Sequence, residues 1–152
     1  MKDILSEQEK SRFSRQINLD EVGRDGQSRL KKSRVLIVGV GGLGCPVALY
    51  LASAGVGTIG LVDGDTVDLS NLHRQVLFNS SAVGRPKVEA AKKELFAKND
   101  HCEIKAHFEF LSPVNAQNII SEYDIVVDAT DNFEARYLLN DACVLEKKPF
   151  VS

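Results

Sequence analysis

Cysteine is scarce in this 152-residue chain: Cys45, Cys102 and Cys143 lie far apart, and no C-x-x-C pair occurs. A zinc site therefore has no framework here, so zinc is not expected. Few cysteines and an opening segment without signal-peptide features point to the cytoplasm. No charge sign dominates either. Lys and Arg total 19 against 21 Asp and Glu, a formal net charge of -2, so no global field draws in nucleic acid or an acidic membrane. Repeats, low-complexity segments and linkers are missing too. With 43% hydrophobic residues, the length suits one ordinary soluble domain with a core of its own. Charge is wholly absent from Val35 to Val62, a run long enough to cross a bilayer. Seven glycines and Pro46 interrupt that run, and its pattern changes from strand to helix to strand. A buried βαβ unit accounts for it without a membrane. Cys45 and Cys143 then read as small core residues rather than nucleophiles.

What is present is concentrated in that uncharged run. An apolar strand over 34–38 leads into Gly39-Val-Gly-Gly-Leu-Gly44 and then a helix to about residue 54. In this G-x-G-x-x-G arrangement Gly39 permits a sharp turn, Gly41 lets the backbone approach a ligand, and Gly44 lets helix and strand pack closely. Gly42 lies inside the same turn. The helix aims its free N–H groups and the positive end of its dipole at whatever sits over the turn, which is a site for phosphate. A second strand over 58–62 ends at Asp63, about 20 positions on, where an acidic residue usually holds a ribose hydroxyl. Glycines alone occur by chance. The strand, the helix and Asp63 together point to a nucleotide.

The rest of the pattern alternates. Ser6 and Glu9 form a capping box that predicts a helix through Phe13 and Ile17 to about Leu19, and a short second helix follows Asp25 and ends before Ser33. Residues 64–84 read as a long irregular connection with a helical turn near Asn71. Pro86 opens a helix to about Lys98 whose apolar face is Val88, Ala91, Leu95 and Phe96. Strands are expected at 103–108, 125–129 and 149–152, and helices from Ser112 to about Glu122 and from Asn132 to Lys147. Such alternation predicts a doubly wound, mostly parallel Rossmann-like α/β sheet with helices on both faces, preceded by N-terminal helices. The division is a helical extension over 1–33 and a nucleotide-binding unit over 34–152. The latter stops within its last strand, so the expectation is a fragment or shortened version of something longer.

Three clusters carry chemistry. The connection from Asp63 to Gln75 is polar and dense in ligand-type side chains. Either it is a plain solvated loop, or Ser70, Asn71 and Arg74 face the nucleotide, with Arg74 neutralising phosphate charge. Lys87 places a cation at the positive end of a helix dipole, which surface tolerance would allow and a bound anion would explain. Asp131, at the carboxyl end of the fourth strand, either holds Mg²⁺ against phosphates or, like Asn132, caps the next helix. His73 reads as a solvated loop histidine, and no nucleophile motif surrounds any serine or cysteine.

These residues match a family in combination and in order. Arg12-Phe-Ser-Arg-Gln-Ile17, the glycine turn, Asp63-x-Asp65, Ser70-Asn-Leu-His-Arg-Gln75, Gly84-x-Pro-Lys87 and Thr130-Asp-Asn132 resemble the ThiF/MoeB/HesA family, bacterial relatives of ubiquitin-activating enzymes. The resemblance implies an adenylyltransferase that uses ATP and Mg²⁺ on the C-terminal glycine carboxylate of a ubiquitin-like sulfur carrier, in thiamin or molybdopterin synthesis. By position it implies Gly42 against the nucleotide, Asp63 on the ribose, and Asn71, Arg74 and Lys87 on the phosphates. Asp131 would organise Mg²⁺, and Arg15 would reach into the partner's site of a homodimer. The family's zinc cysteines and most of its carrier groove are absent, so this chain is expected to keep ATP-site residues without adenylating a carrier alone. Two alternatives are a non-catalytic fragment and an NAD-type oxidoreductase domain, although hydride transfer has no need of Arg74, Lys87 and Asp131 together.

Overall fold

The computed structural model describes residues 4–152. Residues 1–3 of the expected helical extension lie outside that range. Five parallel strands form one sheet in the order β3-β2-β1-β4-β5: β1 (Arg34–Val38), β2 (Thr58–Val62), β3 (Glu103–His107), β4 (Ile125–Asp128) and β5 (Phe150–Val151). β1 pairs with β2 from Arg34↔Thr58 to Val38↔Val62 and with β4 from Val35↔Ile125 to Val38↔Asp128. Because a strand's side chains alternate faces, β1 serves two cores. Val35 and Ile37 pack on one side with Ala48 and Ala52 of α4 (Gly44–Ala54) and Val88, Ala91 and Leu95 of α5 (Lys87–Lys98). Leu36 and Val38 pack on the other with Ile119 and Ile120 of α6 (Ala116–Ser121) and Leu139 and Cys143 of α7 (Phe133–Leu145). The doubly wound expectation therefore holds, with helices on both faces.

This winding places the site. Crossovers run outward through α4 and α5 on one face, then return through α6 and α7 on the other. The reversal lies between β1 and β4, and the crevice beyond their carboxyl ends is where such sheets bind ligands.

Four local expectations shift. The first helix breaks at Phe13 into α1 (Glu7–Arg12) and α2 (Ser14–Ile17). Ser6 and Glu9 do form the capping box. Phe13 is 3% exposed, packed against Gly55, and burying it turns the chain. Next comes α3 (Gly23–Lys32), which opens two residues before Asp25. α6 begins at Ala116 rather than Ser112, because Ser112 and Asn115 close a turn in which the Ser112 N–H donates to Asn115 Oδ1 at 2.8 Å. Phe96 lies outside the core: Val88, Ala91 and Leu95 are buried while Phe96 is exposed.

The N-terminal helices dock at the end of α4 remote from the glycine turn. Gln16 and Gln27 Nε2 each donate to the Ala54 carbonyl at 3.0 Å, and Gln16 Nε2 donates to Gln27 Oε1 at 2.8 Å. Gly55 closes α4 at φ +92°, where a Cβ would lie 2.5 Å from Gln27 Nε2. No helix among the described residues is long and apolar enough to cross a membrane.

Candidate functional site

A cleft of about 840 Å³ opens at the carboxyl ends of the strands, beside the β1–β4 reversal. Its floor depends on close backbone approach. Gly39 (φ +93°) follows β1, and a Cβ there would lie 2.5 Å from the Ala129 carbonyl oxygen just after β4. A Cβ on Gly44 would lie 1.9 Å from the Gly39 carbonyl oxygen, so its role is strand–helix packing. Gly41 lines the cleft. Gly42 lies against Arg74, 3.5 Å from that side chain's Cγ and Cδ to its ideal Cβ position.

Asp63 directly follows β2, is buried, and is fixed at both oxygens. It accepts the Val40 N–H at 2.7 Å and the Asp65 N–H at 2.8 Å. A carboxylate has about four lone-pair sites, so each oxygen can still accept a hydroxyl from the cleft. The loop after it folds back on itself: Lys87 N–H donates to the Asp65 carbonyl at 2.9 Å, Val67 N–H to Arg85 at 2.8 Å, and Gly84 N–H to Val67 at 2.8 Å. Two short 3₁₀ turns, Leu69–Asn71 and Ser80–Ala82, sit within it. This closure brings Lys87 Nζ to 2.9 Å from Asp65 Oδ2 and 4.0 Å from Asp63 Oδ2. The conflict between Lys87 and its helix dipole is thus offset by the chain's own carboxylates, with the lysine only 7% exposed. An ammonium has three donors, so Lys87 can hold Asp65 and still donate into the cleft.

Arg74 is exposed and donates to Asn71 Oδ1 at 3.0 Å, and both line the cleft. Ser70 is outside the lining residues, because its hydroxyl donates at 2.5 Å to Asp68, which caps the first 3₁₀ turn. Across the cleft, Asn132 is the cap of α7, accepting the Ala135 N–H at 2.8 Å. The capping role weighed between Asp131 and Asn132 therefore falls to Asn132. Asp131 is exposed, lines the cleft and makes no hydrogen bond or ion pair among the described residues. Arg15 is equally exposed and unpaired among the described residues, but it does not reach this cleft. Its neighbour Gln16 is bonded to Ala54, the last residue of α4, whose 11 residues separate it from the glycine turn by about 16 Å.

Sequence reasoning missed three features. Phe110, Leu111 and Pro113, following β3, supply apolar lining to the cleft, together with Leu138 of α7. A Cβ on Gly64 would lie 2.6 Å from the Phe110 ring. The rule that ligands sit beyond strand ends applies to β3 as well as to β4, and it would have drawn attention to this segment. The second feature is Asp128, whose buried carboxylate accepts Thr130 N–H at 2.9 Å, Thr130 Oγ at 2.6 Å and Arg136 Nε at 2.9 Å. Arg136 Nη2 also donates to the Thr130 carbonyl at 3.4 Å, so Asp128 and Arg136 brace the short loop that carries Asp131. Burial pushes the Asp128 pKa up, but the Thr130 and Ser152 hydrogen bonds and the Arg136 charge outweigh it and hold the group below the usual carboxylate range. The third is Gln75, 3% exposed and lining the cleft. Cys45, behind the glycine turn, has its thiol pushed up to about 11 by burial, which leaves it a core residue. Among the described residues no three His, Cys, Asp or Glu gather as metal ligands.

Residues 13–152 match the ThiF family. An adenylyltransferase and sulfurtransferase MOCS3 from Culex quinquefasciatus is 56% identical over 148 residues, covering 97% of this chain and 34% of that relative. An adenylyltransferase and sulfurtransferase uba4 from Pyricularia oryzae (strain 70-15) is 55% identical over 148 residues, covering 97% of this chain and 30% of the relative. The chain spans about a third of the length of the curated relatives it matches. Among solved structures, E. coli tRNA N6-threonylcarbamoyladenosine dehydratase, TcdA, in complex with ATP, superposes with a TM-score of 0.88 at 27% identity, over 97% of this chain and 60% of that one.

Proposed function

The chain belongs to the ThiF family, and on that premise we propose that its cleft is the nucleotide half of an ATP-dependent adenylating site. The observation that carries this is the meeting of a glycine turn, an anchored Asp63 and the two cations Arg74 and Lys87 on one crevice. Asp63, held from behind by two backbone amides, accepts the ribose hydroxyls. The turn and the start of α4 receive the phosphates with Asn71, Arg74 and Lys87. Phe110, Leu111 and Leu138 offer the base an apolar wall. The fold match to an ATP-bound relative supports ATP as the nucleotide.

The reaction proposed is attack by the C-terminal glycine carboxylate of a ubiquitin-like sulfur carrier on the α-phosphorus. One carboxylate oxygen bonds to phosphorus, the bond to the β-phosphate oxygen breaks, and acyl-adenylate and pyrophosphate result. No covalent enzyme step is needed. The chain's residues hold two anions together and steady the charge that builds on the departing pyrophosphate. Asp131 fits Mg²⁺: it is a carboxylate on the cleft with no partner among the described residues, and Mg²⁺ is commonly held by one or two carboxylates plus phosphate oxygens. When bound, the ion would neutralise phosphate charge. Residues 34–152 form the nucleotide-binding unit and residues 1–33 its helical extension. Arg15, remote from its own cleft, serves the site of a second copy in a cytoplasmic homodimer. An NAD-type oxidoreductase is not favoured, since the named relatives are adenylyltransferases and the cleft is lined by polyphosphate-type cations.

Carrier-dependent exchange of labelled pyrophosphate into ATP tests the reaction, measured on a protein of the relatives' length that carries these residues. Exchange indifferent to the carrier would argue against it. For the 152-residue chain alone, release slower than an enzyme's typical 1 per second or so is expected.

A further inference from the structure

Buried polar side chains in this fold are bonded almost without exception. Gln27 is fully buried, and its amide bonds at both ends, to Gln16 and to Ala54. Asn99, also buried, donates to the Ala52 carbonyl at 2.8 Å and accepts the His101 N–H at 3.1 Å. Gln75 is the contrast. It is 3% exposed, and its Oε1 is the one buried side-chain polar atom without a hydrogen-bond partner among the described residues. Its Nε2 has no partner there either. The side chain is not loose, since the backbone on which it stands is tied down: Gln75 N–H donates to the Asn71 carbonyl, and its carbonyl accepts the Phe78 N–H, both at 3.0 Å. As the amide is placed, its buried Oε1 finds no partner among the described residues, and Nε2 is the end that lies toward Gly41. Folding alone therefore does not account for a glutamine here. A leucine of similar size would fill the space without an unpaired polar atom.

The position says what the amide is for. Gln75 lines the cleft next to Arg74, and its Nε2 lies 3.8 Å from where a Cβ on Gly41 would stand. It thus sits at the glycine turn, on the side where Asn71, Arg74 and Lys87 converge. Phosphate offers hydrogen-bond acceptors only, so it would pair with the two N–H donors of the unpartnered Nε2 beside Gly41 and not with Oε1. We propose that Gln75 is a further nucleotide-binding residue, its amide donating to the polyphosphate of the bound nucleotide at the glycine turn. Rule-breaking positions of this kind tend to be retained for function at a cost in stability. The proposal rests on the nucleotide reading of the cleft and adds to it a neutral donor among the cations.

The test is Gln75→Leu in the full 152-residue chain, read by thermal unfolding without ligand and by calorimetry with MgATP and with adenosine. The expected signature is split. The melting temperature stays level or rises, MgATP affinity falls about tenfold, in line with the loss of one hydrogen bond to a charged group, and adenosine affinity is unchanged. Gln75→Glu, which sets a negative charge against phosphate, weakens MgATP further still. A lowered melting temperature with unchanged MgATP affinity would make Gln75 a packing residue and overturn the proposal. Equal losses for adenosine and MgATP would overturn the assignment to phosphate. Parent protein that binds no MgATP would overturn the nucleotide reading itself, whereas a parent that binds and a variant that binds equally well would remove Gln75 alone.

Discussion

The two flanks of the cleft are built differently. On the β1–β2 flank the functional groups are buried and already bonded: Asp63 holds two backbone amides, Lys87 holds Asp65, and Gly44 has no room for a Cβ. On the β4 flank the working group is bare. Asp131 is exposed and unpaired among the described residues, and only the loop beneath it is braced, by Asp128 and Arg136. Arg15, at the far end of α4, is likewise exposed and unpaired among the described residues. The first flank is finished by folding, because its charges find partners within one βαβ unit. On the second, folding leaves Asp131 without a partner among the described residues. Substitution of the anchored groups Asp63 and Lys87 should therefore act on stability and binding together, and substitution of Asp131 on binding alone.

The largest effect expected lies between the flanks, at Arg74, whose exposed side chain is bonded, among the described residues, to Asn71 and His73. In a protein of the relatives' length, Arg74→Ala should lower carrier-dependent pyrophosphate exchange by about 10²–10³, far more than it weakens ATP binding, while leaving thermal unfolding unchanged. An enzyme within a factor of two of the parent would reduce Arg74 to a loop cation.

Gly44→Ala should cost about 1–3 kcal/mol, because the added methyl meets the Gly39 carbonyl, and denaturant unfolding would show a lowered midpoint. Gly42→Ala faces only the flexible Arg74 side chain and should leave the midpoint nearly unmoved. Equal midpoints for the two would break the contrast between the glycine packed on backbone and the one that meets only the Arg74 side chain.

Arg136→Ala should cost about 1–2 kcal/mol, held down by the 44% exposure of its side chain in the pair with Asp128. The pH dependence has a definite sign. The folded Asp128 pKa is depressed, so its contribution is complete above the unfolded value of about 3.9 and is lost as pH falls through the folded value. Acid unfolding of Asp128→Asn should accordingly be flatter below about pH 4 than that of the parent. A parallel acid limb would show that the carboxylate contributes nothing there.

The smallest effect concerns Cys45. With its thiol pushed up to about 11 by burial, it should resist maleimide at neutral pH in the folded chain and react only on unfolding.

Much of this arrangement was legible in the chain. The glycine turn, the alternating elements and Asp63 are local signals, and β1, α4 and β2 formed where their pattern placed them. Lys87 was legible as an anomaly, but its resolution was not, because Asp65 reaches it only through the closure of the 65–87 loop. The break at Phe13 and the exposure of Phe96 depend on which apolar residues find partners, and periodicity alone does not decide that. Gln75 was visible only as part of a motif; that its buried Oε1 lacks a partner among the described residues is a fact of packing.

The central claim is that this crevice is made for ATP with its metal ion rather than for a dinucleotide. Calorimetry of the folded chain with MgATP and with NAD⁺ tests it most directly. Measurable MgATP binding, tighter than NAD⁺ and weakened by Asp131→Asn without a change in melting temperature, is the predicted result; tighter binding of NAD⁺ would contradict it.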